Sequence, residues 1–63
     1  MSDRSYRCYL RDANDQVKSV QVITCIDDAE ATLRTEALLA SSAFPIAELW
    51  QDRRLVGKWS NGQ

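Results

Sequence analysis

Only one stretch of this chain reads as helix, from a cap at Asp27 to a break imposed by Pro45, and period-two runs flank it on both sides. Few folds satisfy that order. Asp27 followed three residues later by Glu30 forms a capping box, and Asp28 adds negative charge where the helix dipole favours it. From Asp28 to about Ser42 the residues Ala29, Leu33, Ala37 and Ala40 fall on one stripe, continued by Ile26 before the helix and Phe44 after it. That stripe predicts the face that packs on a sheet, and its alanines imply a close approach. Glu30 and Arg34 are placed to pair at i, i+4 on the other side, and Leu38 is expected off the stripe and exposed. Pro45 cannot continue the helix and pushes Phe44 toward extended geometry.

Before the helix, Tyr6, Cys8 and Leu10 alternate with Arg7, Tyr9 and Arg11, the pattern of a strand over about residues 5–11 with one buried face. Asp12-Ala13-Asn14-Asp15-Gln16 is dense in turn formers, and Val17 to Thr24 is a second β-rich run. A three-residue loop at Ala13 to Asp15 predicts a hairpin pairing Cys8 with Val20 and Tyr6 with Val22; a two-residue loop would set Val20 opposite Tyr9. The first gathers the apolar residues and is preferred. It turns Cys8 and Cys25 to opposite faces, so no disulfide is expected. After the helix, Ile46–Gln51 and Arg54–Trp59 make a second hairpin around Asp52-Arg53. Its two-residue loop predicts Leu49 opposite Val56, Trp50 opposite Leu55 and Ile46 opposite Trp59. The tail at residues 60–63 is polar and expected to fray.

The predicted fold class is therefore α+β, a single ββαββ domain over residues 1–63, ordered from about 4 to 59. A right-handed crossover of the helix over the first strand gives a four-stranded antiparallel sheet of order 2-1-3-4, with the helix packed on one face. The helix-facing layer is expected to hold Tyr6, Cys8, Leu10, Val20, Val22, Ala47, Leu49 and Val56. The other face is uncovered and collects Arg7, Tyr9, Arg11, Ile23, Trp50, Leu55 and Trp59.

A chain of 63 residues lies near the lower limit for unaided folding. Burial at about 25 cal/mol per Å² roughly cancels about 1.5 kcal/mol of lost entropy per ordered residue, so small domains add a disulfide, a metal or a partner. There is no His, and Cys8 and Cys25 are far apart, which excludes the usual zinc ligand sets. Asp12-Ala13-Asn14-Asp15 has Val17 where a calcium loop needs glycine and Ile23 where it needs the bidentate glutamate, so it reads as a turn. No cofactor or metal is expected, which leaves association as the supplement. With Lys+Arg 8 against Asp+Glu 9, no global field draws the chain to nucleic acid or to an anionic membrane. No apolar run approaches the roughly 18 residues of a membrane span, and the first residues lack the apolar core of a signal peptide. A cytoplasmic setting with reduced thiols is expected.

Three readings compete for the uncovered face. In the first, Trp50 and Trp59 are simply core, the large side chains a small domain needs under its helix. In the second, the face is an interface for self-association or another protein, with Tyr and Trp as anchors and Arg7, Arg11 and Arg54 at a polar rim. In the third, single-stranded nucleic acid stacks on Tyr9, Trp50 and Trp59. Net negative charge, Glu48 on the same face and the missing glycine-rich aromatic signature place nucleic acid behind the others. Catalysis is not expected: the chain has no His, no nucleophile beside a base and no phosphate loop, and helix capping accounts for Asp27, Asp28 and Glu30.

Tyr6-Arg7-Cys8-Tyr9-Leu10, Asp27-Asp28-Ala29-Glu30-Ala31, Glu36-Ala37-Leu38-Leu39-Ala40, and Ala47-Glu48-Leu49-Trp50 before Arg54-Leu55-Val56-Gly57 form a pattern. It resembles short uncharacterised alphaproteobacterial proteins of the rhizobial type. The likeness spans nearly the whole chain but consists of caps, core and hairpins. It implies the fold and a bacterial cytosolic setting, and it transfers no functional residue. Where such hairpins tend to show Asp-Gly, this chain has Asn14-Asp15.

Overall fold

The computed structural model describes residues 3–60. Its elements run β1 (Arg4–Arg11), β2 (Val17–Cys25), α1 (Asp28–Ser41), β3 (Ile46–Gln51) and β4 (Arg54–Ser60). The sheet order is β2-β1-β3-β4, antiparallel throughout, with α1 on one face, as the ββαββ pattern predicts. Ser60, expected in the tail, closes β4, and residues 61–63 lie outside the described residues. No helix of the described residues is long and apolar enough to cross a membrane.

The helix begins as its sequence dictates. Asp27 accepts from the Glu30 amide at 2.9 Å, and the Glu30 carboxylate accepts from the Ile26 amide at 3.0 Å, so one first-turn amide and the amide just before the cap are satisfied. At the other end the Ser42 amide and hydroxyl both donate to the Leu39 carbonyl. The buried face of α1 differs from the expected stripe. Ala31, Thr35 and Leu39 are buried and Leu38 packs against them, whereas Ala29, Leu33, Ala37 and Ala40 are exposed. Thr35 explains the difference, because its hydroxyl donates to the Ala31 carbonyl at 2.8 Å and a nominally polar residue becomes neutral to burial.

Both hairpins begin as expected at the turn and then slip by one residue. In the first, Asp12 and Gln16 close a three-residue loop with an Asp12 amide to Gln16 carbonyl bond of 3.0 Å, and Arg11 pairs with Val17. Lys18 then bulges out of β2, so Leu10 meets Ser19, Cys8 meets Gln21, Tyr6 meets Ile23, and Val20 faces Tyr9. In the second, Trp50 pairs with Leu55 as predicted, but Val56 bulges and Leu49 meets Gly57 while Ala47 meets Trp59. Because side chains alternate across a strand, each slip exchanges the two faces of the residues beyond it. Val20 and Val22 move to the uncovered face, Ile23 moves under the helix, and Trp59 moves to the helix side.

The core beneath α1 is Tyr6, Cys8, Leu10, Ile23, Cys25, Ala31, Leu39, Ala47 and Leu49, flanked by Leu38, Phe44, Val56 and Trp59. The Trp59 indole lies over Gly57, where a Cβ would stand 2.6 Å from its ring, so the close approach needs glycine there. Cys8 and Cys25 share the helix side, contrary to the expected opposition. They stay unbonded because Cys25 lies opposite Arg4, four residues from Cys8, or about 13 Å at ~3.3 Å per residue.

Asp15 has φ 64° at the end of the first loop, the left-handed position that glycine takes at least cost. Asp15→Gly is therefore expected to raise stability by about 0.5 kcal/mol, read as a shift of the urea midpoint without a change in slope. A fall in the midpoint would show that the 3.8 Å Arg11–Asp15 ion pair outweighs the backbone term.

Candidate interaction surface

The uncovered face is built by alternate residues of the four strands. β1 contributes Arg7, Tyr9 and Arg11, β2 contributes Val20 and Val22, β3 contributes Glu48 and Trp50, and β4 contributes Leu55 and Lys58. Val20, Val22 and Leu55 are exposed, and Tyr9 and Trp50 are half-buried. Of the expected surface residues, Arg7, Tyr9, Arg11, Trp50 and Leu55 lie here. Ile23 and Trp59 do not, for the register reason given above. Arg54, expected at the rim, instead reaches toward the helix, where its guanidinium donates to Asp28 Oδ1 at 3.1 Å.

Glu48 organises the middle of this face. Its side chain is only 11 % exposed although no helix covers it, because Arg11, Trp50 and Lys58 enclose it. Arg11 Nη2 donates to Oε1 at 3.0 Å, Trp50 Nε1 donates to the same oxygen at 3.3 Å, and Lys58 Nζ stands 3.6 Å from Oε2. Burial would push this carboxyl up, but the hydrogen bonds from Trp50 and Arg11 and the charges of Arg11 and Lys58 outweigh it and hold it below the usual range. An ionised carboxylate occupied in this way is a poor general base. It is well suited to fixing the Trp50 ring and the Arg11 side chain in place. Arg11 is held further by a 2.8 Å bond from Nη1 to the Asp15 carbonyl, while its buried Nε has no hydrogen-bond partner. Beside this network a hollow of about 330 Å³ is lined by Tyr9, Arg11, Val17, Glu48, Trp50 and Asp52.

A second polar cluster ties the helix to the sheet. The hydroxyl of fully buried Tyr6 donates to Asp28 Oδ1 at 2.6 Å, beside Arg54. Burial first and Asp28 second push the Tyr6 hydroxyl up, and the hydrogen bonds from Arg54 and then Tyr6 hold Asp28 down. Period-two reading found Tyr6 as core and the helix dipole explained Asp28, but no sequence signal joined residues 22 positions apart. Among the described residues no group of three or more His, Cys, Asp or Glu side chains converges as a metal site requires.

Comparison with protein-family models, curated proteins and solved structures finds no match.

Proposed function

We propose that this chain is a small, non-catalytic, cytoplasmic interaction module that docks another protein chain on its uncovered sheet face. The observation that carries this reading is the combination around Glu48. The face presents Val20, Val22, Leu55, Tyr9 and Trp50, while two of its cations, Arg11 and Lys58, are already paired with Glu48, and Arg11 also with Asp15. Such a surface can be covered without leaving those charges unpaired, which is the usual penalty for docking on a polar sheet. A half-buried aromatic held by a hydrogen bond, as Trp50 is by Glu48, is also an anchor that loses little entropy on binding. Two buried, unbonded thiols suit a reducing compartment.

Single-stranded nucleic acid is supported less well. Of the three aromatics that reading requires, Trp59 lies on the helix side, and the Arg11 charge is engaged by Glu48.

Photo-crosslinking in cells tests the docking surface. Benzoylphenylalanine at Leu55, on the uncovered face, is expected to form a discrete adduct with a protein, while the same probe at Leu33 on the outer side of α1 forms none. An adduct at Leu33 alone, or at neither position, would remove the proposal.

A further inference from the structure

We propose that β2 is the seam of a symmetric dimer, in which the free edge of β2 pairs antiparallel with β2 of a second copy and joins two four-stranded sheets into one of eight. The inference goes beyond the docking reading and does not depend on it.

The two edges of this sheet are unequal. β4 is protected in the ways edge strands usually are, with a bulge at Val56, then Gly57 and Lys58 within its length. β2 bulges only at Lys18, near its start. From Ser19 to Cys25 it is regular and carries no charge, no proline and no glycine. An edge of that kind is a template for another strand.

The exposed apolar residues identify the occupant. Among the described residues the exposed large hydrophobics are Val17, Val20, Val22, Ile26, Leu33 and Leu55, and four of these six lie on β2 or directly after it. Val22 is 68 % exposed and stands at the centre of the regular stretch. A two-fold axis beside Val22 sets it against Val22 of the second copy and sets Val20 against Thr24, so every pair on the uncovered face is β-branched. On the helix side Gln21 meets Ile23 and Ser19 meets Cys25. Beyond the regular stretch, Lys18 of each copy arrives beside Ile26 and Asp27 of the other, at the acidic start of α1, and Val17 comes close to Ile26. Thus Lys18, which stands 3.8 Å from Asp12 of its own chain, gains a second acidic neighbour, Val22 meets its own counterpart, and Val17, Val20 and Ile26 each gain an apolar or β-branched neighbour at the seam. A generic peptide would have no reason to match both ends. The groove of about 390 Å³ between α1 and β2, lined by Gln21, Ile23, Arg34, Ala37, Leu38 and Ser41, borders the same edge. Its position leaves room for the helix of the second copy.

Sedimentation across a wide concentration range, joined to amide hydrogen exchange, tests the seam. The expected result is a dimer in which the β2 amides that do not bond to β1 are protected, with protection rising with protein concentration. Val22→Lys sets two lysines against each other at the axis and should weaken the dimer by about tenfold or more while leaving the fold intact, since Val22 is exposed. Mixing Val22→Lys with Val22→Glu should restore association. Trp50→Ala, two strands from the seam, should not change it. A monomer at every concentration would overturn the proposal. So would a dimer whose outward β2 amides exchange as fast as those of a free edge, because that dimer would use another surface. Neither result bears on the adduct at Leu55, so the two readings fail separately.

Discussion

Leu49→Ala is expected to lower unfolding stability by about 3 kcal/mol, whereas Trp50→Ala, the next residue on the same strand, should cost about 1 kcal/mol and leave the chain folded. Leu49 is fully buried at the centre of the helix-covered layer, against Gly57 on one side and Cys8 on the other. Removing its side chain forfeits the transfer free energy of the lost atoms and leaves a cavity that a closely packed sheet cannot fill. Small domains have total stabilities at the low end of roughly 5–15 kcal/mol, so this one change removes a large share. The Trp50 ring is larger, yet one side of it faces solvent, and its loss removes a single hydrogen bond to Glu48. Urea unfolding followed by circular dichroism measures both. Equal costs for the two would mean that β3 does not divide the domain into a covered and an uncovered side.

Acidification supplies the second large effect. The Glu48 carboxyl lies below its ordinary value in the folded chain, so it binds its proton less readily folded than unfolded. Its contribution to stability is therefore complete above the unfolded carboxylate range, about 4.3 for Glu, and is lost as pH falls through the lowered folded value. Asp12, held down by the Gln16 and Asn14 amides, and Asp28, held down by Arg54 and Tyr6, act in the same direction. Glu48→Gln should cost about 1–2 kcal/mol at neutral pH, because Lys58 then loses its counter-charge and Arg11 keeps only the 3.8 Å pair with Asp15, beside a half-buried Trp50. The discount from a fully buried pair reflects the 24 % exposure of Arg11 and the 48 % exposure of Lys58. Stability should also depend less steeply on pH between about 5 and 3 in the variant, with the remaining slope coming from Asp12 and Asp28. An unchanged slope would show that Glu48 is not the principal acid-sensitive group.

The order and type of every element were readable from local chemistry, because each rests on a short-range signal. The capping box at Asp27 and Glu30, the break at Pro45, and the turn residues from Asp12 to Gln16 act within four positions of where they sit. Facing was harder to read. It depends on register, and register on two single-residue bulges, one at Lys18 with no marker in the sequence and one at Val56 whose single marker is the neighbouring Gly57. Each moves everything beyond it to the opposite side, so Ile23 and Trp59 were expected in solvent and lie under the helix. Val20 and Val22 made the reverse exchange. The buried stripe of the helix is hidden for a related reason. Alanines and leucines lie on more than one side of α1, so hydrophobicity alone could not choose its buried stripe, and the deciding residue was Thr35, whose hydroxyl is satisfied by its own backbone. Of the uncovered face, Arg7, Tyr9, Arg11, Trp50 and Leu55 were legible. In the sequence Glu48 is visible only as an acid that disfavours nucleic acid, since its enclosure requires β1, β3 and β4 to come together.

The two thiols under the helix have a use that follows from their placement. Both Cys8 and Cys25 are held above the ordinary thiol range by burial, and neither is open to solvent in the closed structure. A thiol-reactive reagent therefore modifies the chain only during moments of opening, and the rate at which each sulfur is captured becomes a clock for a different motion. Cys25, at the end of an edge strand, times the peeling of β2. Cys8, in the middle of β1 beneath Thr35, times separation of the helix from the sheet. The unaltered protein thus carries separate probes for fraying and for global unfolding.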